Sequence, residues 1–215
     1  LDFGIALHTT LQTYLAAKPQ GREAATRAAV RAALTSTWSE EDGPWDSPDR
    51  RRTRWTLVRT AVWYDEVYGA EEMRLLEIQG APAVEVGFRI PTQKLTPDGD
   101  PYRLAGYLDA MVEVEQGTWV IDFKSTTGSL SGHYWDQYSP SNQMSMYNLG
   151  RRVVLPDAIK GILVSAVQLG VGFSRFERKP IYRTRDQSEE YLQTIYDTIA
   201  EAEMWAEKGR WPMTE

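Results

Sequence analysis

The sequence predicts one α/β domain, a central mixed sheet flanked by helices and carrying an acidic antiparallel hairpin. Three observations support this. Apolar residues alternate with period two between residues 82 and 126, a continuous apolar run at 159–169 suits a buried strand, and helical periodicity frames both. The chain has 215 residues, 42% of them hydrophobic and 25% charged, enough for one sizeable core. The expected division is a single domain over 1–215, with a helical part at 1–79, an α/β core at 80–185 and a closing helix at 186–209.

Taken in order, residues 2–17 predict an amphipathic helix, with Leu7, Leu11 and Leu15 at fourth positions and Pro19-Gln20-Gly21 as its stop. His8 sits beside that apolar stripe, where a histidine is as a rule a core or boundary residue and only sometimes a ligand. Residues 22–38 are alanine-rich and helical, and 39–49 form a loop. Ser47 or Asp49 caps a long third helix expected to reach about Glu77. The spacing of Trp55, Leu57, Val58, Val62 and Trp63 on it reads as core rather than as a base-stacking platform. A half-buried strand at 82–93 places Val84, Val86, Phe88 and Ile90 on one face and Glu85 on the other. Thr96-Pro97-Asp98-Gly99-Asp100 is a turn. Past the hairpin, residues 128–139 predict a loop, 142–152 a helix, 173–183 a strand and 188–208 the closing helix.

The stretch around which the chain is organised reads GYLDAMVEVEQGTWVIDFKST, Gly106 to Thr126. Gln116-Gly117 closes a hairpin between two strands. Residues two apart share a strand face, so Asp122 and Lys124 point together and Asp109 approaches Asp122 from the preceding strand. A lone D-x-K is as a rule a solvated face. Here Met111, Val112, Trp119, Val120 and Ile121 make the surroundings apolar, and charges within a buried run need a partner or a metal. Two carboxylates and an ammonium on one face suit metal-assisted phosphoryl chemistry.

The chain has no cysteine, which excludes disulfides, thiolate zinc sites and iron–sulfur clusters and permits a reducing cytoplasm, the expected compartment. No apolar run is long enough to span a bilayer and no signal-peptide pattern is present, so no membrane partner is expected. The net charge of −6 argues against general polyanion binding. A phosphate-tracking groove needs only local positive charge, and Arg50, Arg51, Arg52 and Arg54 form the densest basic run.

Five motifs then line up. They are G-x-x-x-H at Gly4–His8, E-V-G-F at Glu85–Phe88, G-Y-L-D at Gly106–Asp109, I-D-F-K-S at Ile121–Ser125 and Q-M-S-M-Y at Gln143–Tyr147. In this order the chain resembles the PD-(D/E)XK nuclease superfamily, and within it the RecB-like exonuclease branch, over roughly residues 1–150. The resemblance implies a restriction-endonuclease-like domain, a DNA substrate and a place beside other recombination or repair proteins. It implies His8, Asp109, Asp122 and the backbone carbonyl of Phe123 as ligands of Mg²⁺ or Mn²⁺, an imidazole being more natural on Mn²⁺. Asp109, Asp122, Lys124, Gln143 and Tyr147 are the implied catalytic set. Glu85 is left as a ligand, a support behind the ligands, or an arginine's partner; Trp135 joins the basic run as a nucleic-acid contact. The chain lacks the cysteines of the branch's iron–sulfur members, so its last helix is expected to dock by packing alone. The implied activity is a metal-dependent deoxyribonuclease, an exonuclease by its Q-x-x-x-Y motif. An inert nucleic-acid-binding subunit and a small-molecule phosphohydrolase are the competing readings.

Overall fold

The computed structural model describes residues 3–45, 47–156 and 159–212; the expected helix start at residue 2 and the end of the tail lie outside them. Helix α1 (Phe3–Ala17) buries Phe3, Leu7, Leu11, Tyr14 and Leu15, as the fourth-position repeat requires, and a 3-10 turn at Lys18–Gln20 ends it. Helix α2 (Arg22–Thr35) buries Ala25, Ala29 and Ala33, whose small side chains let it lie close against α1. It stops short of the expected residue 38. The Thr37 hydroxyl donates to the Ala33 carbonyl at 2.6 Å, and Trp38 enters a short hairpin of β1 (Trp38–Ser39) and β2 (Gly43–Pro44).

The third helix is shorter than expected at both ends. Helix α3 spans Arg54–Tyr68 and is capped by Thr53, whose hydroxyl accepts from Thr56 N, while Ser47 and Asp49 close local turns instead. Past Gly69 the chain yields its backbone to strands, because Arg74 and Leu75 pair with the sheet. Trp55 is not core: it is 70% exposed, with the Arg54 guanidinium 5.9 Å from its ring and 5.7 Å from that of Trp38.

Short strands β3 (Arg74–Leu75), β4 (Glu77–Ile78) and β5 (Ala81–Pro82) lead into the long β6 (Val84–Leu95), β7 (Pro101–Val114) and β8 (Gly117–Thr126). The expected turn before β7 is present, with Thr96 N donating to Asp100 O. Gly117 closes the β7–β8 hairpin at φ 116°, a backbone region that L side chains rarely adopt. The expected loop at 128–139 contains a short helix, α4 (Gly132–Asp136). Then follow α5 (Asn142–Val154), β9 (Ile159–Leu169), β10 (Ser174–Ile181) and α6 (Arg185–Glu207). The main sheet runs β10-β9-β8-β7-β3, with β6 also on β7; β8 is antiparallel to β7 and parallel to β9.

Alternation along β8 divides the core in two. Trp119, Ile121 and Phe123 face α1 and α3, while Val120 packs with Met111, Val164 and Met144 beneath α5. Helix α5 lies deep because Gly150 leaves room for Phe88: a Cβ there would meet the ring at 2.6 Å. Helix α6 docks by more than packing, since Asn148 Nδ2 donates to Ser188 Oγ at 2.9 Å beside the buried Tyr191.

Candidate active site

Strands β7 and β8 pair only as far as Ala110 and Ile121; beyond this β7 stays with β6 and β8 with β9. The two strands part where the chain carries Asp109 and Asp122. The Phe123 N–H, free of the β7 ladder, donates to Asp109 Oδ2 at 3.2 Å. On the other side of β7, the pairs Val84–Ala110 and Val86–Leu108 put Glu85 opposite Asp109. Glu85 has φ 49°, a left-handed backbone that costs a non-glycine residue about 1–3 kcal/mol. This local kink accompanies the placing of its carboxylate beside His8 and Asp109. One ligand atom from each of the three lies within 4.8 Å of the others.

Asp109 is 6% exposed and held from several sides. Tyr147 Oη donates to its Oδ1 at 3.1 Å, and His8 Nδ1 lies 3.1 Å from its Oδ2. Gln143, one turn earlier on α5, donates from Nε2 to Tyr147 Oη at 3.2 Å. Burial, with the Asp109 and Asp122 charges behind it, holds the Tyr147 phenol far above its ordinary range, so it stays a proton donor.

Asp122 has no exposure at all. Its Oδ1 accepts from Lys124 Nζ at 2.8 Å, and its buried Oδ2 meets no donor. Burial pushes this carboxyl up to about 7, Lys124 pulling it down and the neighbouring Asp109 charge pushing it further up. An orphaned buried oxygen beside a His/Glu/Asp group fits a divalent cation of the Mg²⁺ or Mn²⁺ type.

Comparison with known proteins decides the family. A model of the PD-(D/E)XK nuclease superfamily matches residues 1–214. The chain belongs to the PD-(D/E)XK nuclease superfamily. Its mixed α/β architecture is consistent with the single restriction-endonuclease-like domain that the superfamily shares. A solved structure titled "Crystal structure of SSO0001" is similar at a TM-score of 0.33 and 10% identity, over 89% of this chain and 74% of that one. No curated protein matches the chain. Among the described residues no helix is long and apolar enough to cross a membrane.

This PD-(D/E)XK domain brings His8, Glu85, Asp109, Asp122, Lys124, Gln143 and Tyr147 into one neighbourhood. His8 is half-buried at the edge of the site, its ring edge-on to Phe123, and not inside the core. Glu85 meets no arginine among the described residues; its partner is a glutamine. Asp122 neighbours Asp109 but is not one of the three residues, His8, Glu85 and Asp109, whose ligand atoms all lie within 4.8 Å of one another. The part of the Phe123 backbone that meets Asp109 is the N–H, leaving its carbonyl as a ligand an expectation of the resemblance. Trp135 is 7% exposed, locked against Tyr134 and Tyr138 with Lys179 over its ring, so its indole offers no face to a base. The basic run is also thinner than its sequence. Arg51 pairs with Asp49, and Arg54 donates to Leu34 O and Thr37 Oγ1.

Gln12, on α1 one turn after His8, was not among the expected residues. Its Nε2 donates to Glu85 Oε1 at 2.6 Å and to the Asp109 carbonyl at 3.0 Å, so it ties the kinked strand to the site. The only signal for it is the four-residue spacing from His8. Where a side chain of this kind stands behind metal ligands, its removal costs about 10–100-fold in metal affinity. Gln12→Ala is therefore expected to weaken Mn²⁺ binding by about that factor in calorimetric titration. Unchanged affinity with a lowered melting temperature would make Gln12 a core residue only.

Proposed function

We propose that this protein is a divalent-metal-dependent deoxyribonuclease of the RecB-like branch, an exonuclease serving DNA recombination, repair or phage DNA processing. The observation that carries the reading is the parting of β7 and β8, which leaves Asp109 and Asp122 side by side with Lys124 on the same face. An inert binding subunit would have little use for a buried unpaired carboxylate oxygen next to a cationic side chain.

In this reading His8, Asp109 and Asp122 would hold the cation, with the Phe123 carbonyl as a further donor and Glu85 as a neighbour of the set. Such a Mg²⁺ or Mn²⁺ would supply an acidic water and neutralise phosphate charge. Tyr147 and the Phe123 N–H fix the Asp109 carboxylate, and Gln143 orients Tyr147. Lys124 faces the charge that grows on the phosphate as the water oxygen bonds to phosphorus and the bond to the leaving oxygen breaks. One water thus adds across the bond: its hydroxyl ends on phosphorus, and the proton it gives up is matched by the one the leaving oxygen takes from solvent.

The test uses end-labelled linear and closed circular DNA, single- and double-stranded, with Mg²⁺, Mn²⁺ or EDTA. Metal-dependent loss of linear DNA, with circles intact, is the expected result. Circle cutting would make it an endonuclease, and no cleavage of any substrate would favour the inert subunit.

Arg50 and Arg52, exposed and without an ion pair among the described residues, are the members of the basic run left to meet phosphates. Replacing both by alanine is expected to flatten the salt dependence of DNA binding by roughly one unit of slope for each phosphate no longer neutralised. An unchanged slope would assign them to a solvated face.

A further inference from the structure

Two clefts open at the site. One is lined by Gly4, Ile5, His8, Gln12, Glu85 and Asp109. The other is lined by Lys124, Thr126, Tyr134, Gln137, Tyr138 and Gln143, and it holds no carboxylate. A phosphodiester strand is a chain of anions, so the second cleft is the one that favours it.

Within this cleft the Tyr134 and Tyr138 hydroxyls lie 3.0 Å apart, and neither has another hydrogen-bond partner among the described residues. Two hydroxyls share one proton between them, so one O–H is left to donate elsewhere. Tyr138 is the deeper of the two, at 6% exposure, while Tyr134 is half-buried. Leaving the free proton on Tyr138 would bury an unpaired donor, whereas Tyr138 donating to Tyr134 leaves the free proton at the cleft. An O–H whose oxygen already accepts a hydrogen bond is a stronger donor. Packing of Trp135 against both rings fixes the pair, and Gln137 Nε2 donates to the Tyr134 carbonyl at 2.6 Å. The Asp122 charge acts on both phenols, which burial already raises, so the pair is near the acidic centre.

We propose that Tyr134 is a substrate-contacting residue whose hydroxyl donates to a non-bridging oxygen of the phosphodiester adjoining the one that is cut, with Tyr138 positioning it. This rests on the nuclease reading of the same site. It names the side on which the uncut strand lies, next to Lys124, and gives α4 a task that none of the five sequence motifs assigns.

The test compares wild type, Tyr134→Phe and Tyr138→Phe, all assayed well below their melting transitions. Single-turnover cleavage of linear DNA with Mn²⁺ is measured on an all-phosphate strand and on one with a methylphosphonate at the linkage adjoining the cut. Loss of a hydrogen bond to a charged group predicts about 10-fold or more slower cleavage, or equally weaker DNA binding, for Tyr134→Phe. Tyr138→Phe is expected to lose less. The methylphosphonate should slow wild type and add little to Tyr134→Phe, because both changes remove the same hydrogen bond. Wild-type rate and affinity in Tyr134→Phe, or equal slowing of both proteins by the methylphosphonate, would overturn the proposal and leave the nuclease reading standing. Absence of cleavage by wild type would overturn both.

Discussion

Lys124→Ala is expected to slow cleavage by about 10²–10³-fold, the usual loss when one preorganised electrostatic stabiliser is removed from a transition state. Its Nζ is held 2.8 Å from Asp122 Oδ1, and the side chain is only one-quarter exposed, so the ammonium is fixed in place beside the acidic centre. Metal binding should survive in this variant. Lysine is no ligand, and removing a positive charge beside Asp122 favours a cation there. The pairing with Asp122 is also the reason that a structural effect has to be excluded. Lys124→Arg keeps a charge but not the reach of a point ammonium, so it should restore stability without restoring the rate. The measurements are single-turnover cleavage, Mn²⁺ titration and melting temperature on all three proteins. Cleavage by Lys124→Ala at the wild-type rate would sink the assignment. A loss of rate that merely tracks a loss of metal affinity would move Lys124 from chemistry to holding Asp122 in place.

How much of this site the sequence made legible depends on distance along the chain. Asp122 and Lys124 are two apart on a strand, and Gln143 and Tyr147 four apart on a helix, so local periodicity places each pair. Asp109 is legible because a hairpin turn fixes what lies across from it. Gln12 is not, because its meaning comes from a kinked strand 73 residues away, and an uncharged side chain in an apolar stripe carries no signal of that. The same limit explains the α3 segment. Periodicity shows that Trp55 belongs to a helix, but which side of that helix is covered depends on where α2 and β10 pack. The end of α3 at Tyr68 likewise follows from the pairing of Arg74 and Leu75 with β7, a tertiary choice made over local helical propensity. A run of arginines shows charge but not its neutralisation, and only the fold reveals that Arg51 and Arg54 already have partners.

Asp122→Asn should abolish cleavage and yet leave the metal-free protein more stable than wild type at pH 8. The sign follows from the raised carboxyl. The Asp122 carboxyl is pushed up from its ordinary 3.8 in the unfolded chain to about 7 in the fold, chiefly because burial disfavours its charge. Between those values the folded state holds a proton that the unfolded state has released. Metal-free stability therefore falls as pH rises through that window, and it is fully present only below it. Asparagine keeps the shape and never ionises, so this part of the pH dependence disappears. At pH 8 the variant is expected to melt several degrees above wild type without metal, and to differ little at pH 4. Manganese should reverse the order, because a ligand that binds only the folded state at about a thousand times its dissociation constant adds about 4 kcal/mol. Only wild type retains the carboxylate to bind it. Calorimetric melting at both pH values, with and without Mn²⁺, gives the comparison. Equal metal-free melting at pH 8, together with equal stabilisation by Mn²⁺, would remove Asp122 from the metal site.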